Sequence, residues 1–138
     1  MNLFTSFGYF RKLSDDVKTL KGVARALKPG GLFLIDVVSG DFVRKNFRQR
    51  FWWDMGDHYH LEEIALNGDG AFNTWTKITK KTGKARKKAF FSRLYTRERM
   101  SAALMKAGLR PLKFWGDFKG RPLSADNNRL IVLAEKTK

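Results

Sequence analysis

The chain has 138 residues, 43% of them hydrophobic, with 28 Lys plus Arg against 13 Asp plus Glu and a net charge of +15. That length and apolar content suit a single domain, residues 1–138, with its own core rather than a disordered tail. The lack of cysteine excludes disulfides, thiolate metal sites and a cysteine nucleophile; with no apolar run of bilayer length and no signal-peptide pattern, the expectation is a cytoplasmic protein without a membrane partner.

Taken in order, Ser14 is a candidate N-cap for a first helix, with Asp15 and Asp16 in the first turn where the helix dipole favours negative charge. Val17, Leu20, Val23, Ala24 and Leu27 recur at helical spacing and form one apolar stripe. The run Leu27-Lys28-Pro29-Gly30-Gly31 stops that helix, because proline cannot continue it and the paired glycines permit a tight reversal. Leu32 to Val38 then reads as a buried strand, with Asp36 near its end. Asp41 is a candidate cap for a short helix through Phe47.

From Phe51 to Tyr95 the pattern alternates and carries hairpin signals, so antiparallel strands are expected. Phe72, Thr74, Thr76 and Ile78 share one strand face, Thr82-Gly83 is the turn, and Phe91, Arg93 and Tyr95 share a face of the returning strand. Thr96 caps a helix running to Ala107, with Met100, Ala103 and Leu104 inward and Gly108 as its left-handed stop. Strands around Pro111 to Phe118 and Arg129 to Glu135 close the chain, separated by a loop over Lys119 to Asn128.

Few residues announce chemistry. Gly68-Asp69-Gly70 lies between two strand-like runs and reads as a hairpin turn rather than a nucleotide loop. His58 and His60 share a strand face but have no third ligand at a recognisable spacing, so no metal site is expected. No serine, histidine and acid pattern identifies a catalytic residue. Ten of the 28 basic residues lie between Lys77 and Arg99, among them Lys80, Lys81, Lys84, Arg86, Lys87 and Lys88. Such a block can hold a polyanion through counterion release, or can keep an exposed strand edge from pairing.

The Leu-Lys-Pro-Gly-Gly-x-Leu turn resembles the fifth-strand entry of class I S-adenosylmethionine (SAM)-dependent methyltransferases of the small-molecule type. Four further blocks are similar to that family in the right order. They are Asn2 to Phe10, Arg93 to Glu98, Lys106 to Leu109, and Phe114 to Phe118 with Asn128 to Ala134. The resemblance implies an α/β fold, the C-terminal half of a Rossmann-like methyltransferase sheet, with the antiparallel region at 51–95 inserted in it. It also implies that SAM is the cofactor, that Ser6 and Phe7 lie at the cofactor, and that Tyr9, Trp52, Trp53 and Tyr59 line the acceptor cavity. Phe4, Phe7 and Phe10 have an equally ordinary reading as core aromatics, and the Trp52-Trp53 pair as a core or dimer contact.

Two departures shape the functional expectation. No glycine-rich loop follows a strand, and no acid stands at a second strand end to take a ribose. The first expectation is therefore an acceptor-side half, inactive alone, with SAM bound only when a partner chain completes it, or not at all. The alternatives are a basic module that binds nucleic acid, with Trp75, Phe90, Phe91 and Tyr95 as stacking groups, and a dimeric interaction module without a ligand. The resemblance also implies that the family's fourth strand, at Asn2 to Phe10, lacks the first strand it pairs with, and the unpaired edge this leaves favours a homodimer or a completing partner chain.

Overall fold

The computed structural model describes residues 1–137. In chain order the elements are α1 (Leu13–Ala26), β1 (Leu32–Val38), α2 (Gly40–Lys45), β2 (Arg50–Asp54), β3 (His58–Asn67), β4 (Gly70–Thr79), β5 (Ala85–Arg93), α3 (Arg97–Lys106), β6 (Leu109–Trp115) and β7 (Arg129–Lys136). They build a three-stranded sheet in the order β1-β7-β6 and a four-stranded sheet in the order β2-β3-β4-β5.

In the first sheet β7 runs antiparallel to both neighbours, which leaves β1 and β6 parallel to each other. On the far edge of β1, Asn2 makes a parallel bridge to Ile35: its N–H donates to the Leu34 carbonyl at 2.8 Å, and its own carbonyl accepts from Asp36 N–H at 2.9 Å. The alternation of β1 and β7 puts Phe33, Ile35, Val37, Leu130, Val132 and Ala134 on one face, against Leu20 and Ala24 of α1 and Met100 and Leu104 of α3. This is the main core, and each such large apolar side chain stabilises the fold by about 1.5–3 kcal/mol when fully buried. Leu32, on the opposite face of β1, remains 58% exposed.

The antiparallel region is present as expected, with all its strand pairs antiparallel. Gly68 and Asp69 turn β3 into β4, with Gly68 at φ 52°, so the G-x-G is a hairpin turn. The Thr82-Gly83 turn closes by Gly83 N–H donating to the Thr79 carbonyl at 2.8 Å. Thr96 caps α3 by accepting from Arg99 N–H at 3.3 Å, and Gly108 ends it at φ 79°.

Boundaries of α1, α2 and β6 differ from the sequence expectation. Helix α1 begins at Leu13, with Lys12 in the cap position and no side-chain cap, so Ser14 stands inside the first turn. The reason is tertiary: Asp16 is fully buried as an ion-pair partner of Arg93, which fixes the rotation of the first turn. Helix α2 is capped by Ser39, not Asp41, and ends at Lys45 rather than Phe47. There Gly40 N–H donates to the Tyr95 carbonyl at 2.8 Å, which docks the helix start one residue pair earlier. Strand β6 begins at Leu109, before Pro111, because Leu109 is fully buried and pairs with Lys136.

One charged cluster ties the second sheet to α1 and to the N-terminal loop. Arg93 Nε donates to Asp16 Oδ2 at 2.7 Å, Nη1 pairs with Asp69, and Nη2 donates to the carbonyls of Phe10 and Arg11 at 3.0 Å each. Tyr95, fully buried, donates its hydroxyl to the same Asp16 oxygen at 2.8 Å. Burial, and then that bond to Asp16, push the Tyr95 hydroxyl well above its ordinary range. Burial works against the Arg93 charge, but the bond to Asp16 and the charges of Asp69 and Asp16 outweigh it and hold the guanidinium firmly protonated.

Candidate functional site

At the carboxyl end of β1 a cleft of about 250 Å³ opens between the two sheets. Val37 and Val38 form its floor, Thr5, Phe7 and Tyr9 one wall, and Glu62, Trp75 and Phe90 the other. This is where open α/β sheets bind ligands, outside the carboxyl ends of the strands.

The loop that makes the first wall is held in an unusual shape. Phe4 and Thr5 are consecutive non-glycine residues in the left-handed region, at φ 58° and 57°. For L-residues this costs roughly 1–2 kcal/mol each, and such strain gathers at ligand sites. It is offset by the fully buried Asp36, whose Oδ2 accepts from Phe4 N–H at 2.9 Å and from Arg129 Nη1 at 2.6 Å. Further along, the Gly8 carbonyl accepts from Arg93 N–H at 2.7 Å, so the loop is stitched to both sheets.

The second wall follows from strand register. Glu62 stands opposite Trp75 across β3–β4, and Asn73 opposite Phe90 across β4–β5, so all four share one sheet face. Phe90 lies 4.8 Å from Trp75 in an edge-on arrangement and 6.0 Å from Tyr9, which closes the aromatic wall. Asn73 donates to Ser92 Oγ at 2.9 Å and to the Ala71 carbonyl at 3.3 Å, and among the described residues its own carbonyl oxygen and the Ser92 hydroxyl proton have no partner. Glu62 is the one carboxylate lining the cleft, and the charge of Arg93, which also lines it, is taken by Asp16 and Asp69.

Solved structures with the same arrangement cover nearly all of this chain. The CcbJ methyltransferase from Streptomyces caelestis is similar at TM-score 0.85 and 14% identity, over 98% of this chain and 55% of that one. An S-adenosylmethionine-dependent methyltransferase from Clostridium acetobutylicum is similar at TM-score 0.81 and 18% identity, over 99% of this chain and 62% of that one. The chain has part of the class I methyltransferase fold. SAM-bound CalS10, an amino pentose methyltransferase from Micromonospora echinaspora, is similar at TM-score 0.63 and 15% identity, over 98% of this chain and 56% of that one. No family model and no curated protein matches. The chain thus spans little more than half the length of these methyltransferases.

Within the methyltransferase fold the residues singled out from sequence fall in different places. Phe7 lines the cleft and is also core, 7% exposed and 5.6 Å from Tyr95, whereas Phe4 and Phe10 are exposed. Ser6 does not line it; its hydroxyl donates within reach of Asn2 Oδ1 and the Leu3 carbonyl, bracing the loop. Tyr9 lines the cleft. Trp52 and Tyr59 pack on each other at 5.8 Å on the opposite sheet face, with Lys80 Nζ 4.7 Å from the Tyr59 ring. Trp53 shares the cleft's sheet face but sits out on β2 against His60.

The stacking candidates divide likewise: Phe91 is 9% exposed and Tyr95 fully buried, so neither can meet a base, while Trp75 and Phe90 reach the surface of the cleft. Lys80 is paired with Asp54 at 2.6 Å; Lys81, Lys84, Arg86, Lys87 and Lys88 are exposed and without an ion pair among the described residues. His58 is bonded to Asp57 at 2.5 Å and His60 lies between Trp53 and Trp75. Among the described residues no group of three His, Asp or Glu side chains could hold a metal, and no helix is long and apolar enough to cross a membrane. Glu62, Asn73, Trp75, Phe90 and Ser92 went unnoticed as cleft residues. The signal was there, since the hairpin turns fix the register that sets Glu62 beside Trp75.

For SAM itself the described residues supply an incomplete site. Their G-x-G is spent on a hairpin turn and the Ser6 hydroxyl is spent within its loop.

Proposed function

We propose that residues 1–137 form the acceptor side of a SAM-dependent methyltransferase acting on a small molecule, and that cofactor binding requires a glycine-rich strand and loop which they do not contain. The observation that carries this reading is the cleft at the β1 carboxyl end, walled by Tyr9, Phe90 and Trp75 and bearing one carboxylate, Glu62. Methyl transfer chiefly needs a nucleophile held in line with the sulfonium carbon, so an aromatic-walled cleft that orients the acceptor supplies what this half must supply. Tyr9 and Phe7 would meet the acceptor at the loop side, with Glu62 and Asn73 fixing its polar groups from the sheet side.

The open edge of β1 supports a completing strand. Among the described residues only Asn2 bridges to it, in parallel, and Leu32 at its start is exposed. A second copy, or a chain carrying the glycine-rich half, would cover that edge.

The test is a fusion in which an N-terminal segment of the Clostridium methyltransferase is placed ahead of Met1. The fusion is expected to bind S-adenosylhomocysteine at micromolar strength, about 8 kcal/mol, and to sediment as a monomer where the chain alone self-associates. A folded fusion that binds no S-adenosylhomocysteine overturns the reading.

A further inference from the structure

The cleft-side face of the second sheet carries more than the cleft uses. From Tyr9 the rings continue as one contiguous ladder: Phe90 to Trp75 at 4.8 Å, Trp75 to His60 at 5.5 Å, His60 to Trp53 at 5.5 Å, and Trp53 to Phe51 at 5.2 Å. It crosses all four strands, from β5 to β2. Trp75 is 39% and Trp53 46% exposed, which is costly for rings of that size unless something covers them.

Alternation places Lys77, Arg86 and Lys88 on the same face, alongside the ladder. Lys77 stands directly opposite Arg86 across β4–β5, and Lys88 directly opposite Trp75. Like charges in directly opposed positions destabilise a sheet, so this arrangement gains from a polyanion laid across it. Glu62, at the cleft end, is the one carboxylate that the four strands put on this face.

Aromatic rings in series across a four-stranded antiparallel sheet, flanked by cations that have no ion pair among the described residues, match the chemistry of a chain of flat bases joined by phosphates. We propose that this face docks single-stranded nucleic acid, with bases on Trp75 and Trp53 and phosphates on Lys77, Arg86 and Lys88. The site shares Trp75 with the acceptor cleft but needs no cofactor. A duplex fits it poorly, because its bases are already stacked and offer no faces to the rings.

The experiment is fluorescence anisotropy with a short fluorescein-labelled oligothymidine, titrated with the whole chain at several salt concentrations. Trp75→Ala is expected to weaken binding about tenfold, as the loss of one stacked base does. Lys77→Gln with Lys88→Gln should make the slope of log affinity against log salt shallower by about 1.4, at roughly 0.7 per phosphate on a single strand. Lys81→Gln with Lys84→Gln, in the turn beyond the face, should leave the effect of Trp75→Ala intact. Should Trp75→Ala fail to fold by thermal melting, Trp53→Ala on the edge strand carries the same expectation. Wild-type affinity in the folded tryptophan variant, equal binding of a duplex of the same length, or a dimer that buries this face and excludes the oligonucleotide each overturn the proposal.

Discussion

Arg93 shows how one side chain can decide whether the cleft exists at all. Its guanidinium reaches α1 through Asp16, the β3–β4 turn through Asp69 and the N-terminal loop through two carbonyls, so the loop wall and the sheet wall share one anchor. Arg93→Met would leave Asp16 fully buried without its ion-pair partner, and is expected to cost about 3–5 kcal/mol in urea denaturation. Tyr95 makes a second, pH-dependent contribution through the same aspartate. Its folded pKa lies above the ordinary 10.0, so the native state keeps a proton that the unfolded chain releases. That stability is fully present below about pH 10 and declines as pH rises beyond it. The stability difference between the parent and Tyr95→Phe should therefore shrink between pH 9 and pH 11.5, measured as urea midpoints. Neither role was legible in the sequence. Arg93 reads as one more cation in a basic block, and its partner Asp16 lies 77 positions away, where it passes for a helix-dipole acid.

Among the elements, the two short connections into α2 and α3 behave differently. Thr96 caps α3 by one hydrogen bond to Arg99 N–H, and Thr96→Ala is expected to cost about 1 kcal/mol. Gly40 starts α2 in contact with β5's exit: a Cβ there would stand 2.7 Å from the Leu94 carbonyl oxygen, which is backbone and cannot yield. Gly40→Ala is expected to cost more, about 2 kcal/mol, with both values read from thermal or urea unfolding. The contrast explains why one cap could be read and the other could not. Thr96 follows a strand and precedes an apolar periodicity, which is a local signal. The Ser39 cap is set by where Gly40 meets Tyr95, a contact between residues 55 apart, and so Asp41 looked equally suitable. The hairpins, by contrast, were legible because Gly68 and Gly83 mark turns by backbone conformation alone.

At the level of the molecule, the α/β architecture was readable because the Leu-Lys-Pro-Gly-Gly turn, the Thr96 helix and the closing strands each carry their own punctuation, and the matching methyltransferase structures have the same order of parts. The cleft was only half readable. Phe7 and Tyr9 came from the loop that the resemblance points to, but Glu62, Trp75 and Phe90 come together through the register of four strands, and Trp52 and Tyr59 alternate to the far face. The account divides the labour of a methyltransferase, giving these residues the acceptor wall and leaving the cofactor loop to another segment. The most direct measurement is calorimetric titration of the purified, nucleic-acid-free chain with S-adenosylhomocysteine, backed by equilibrium dialysis because a binding enthalpy near zero is silent. The account predicts no binding tighter than about 1 mM, or roughly 4 kcal/mol. Micromolar binding by the chain alone would contradict it, since the cleft and loop would then hold the cofactor without a glycine-rich strand.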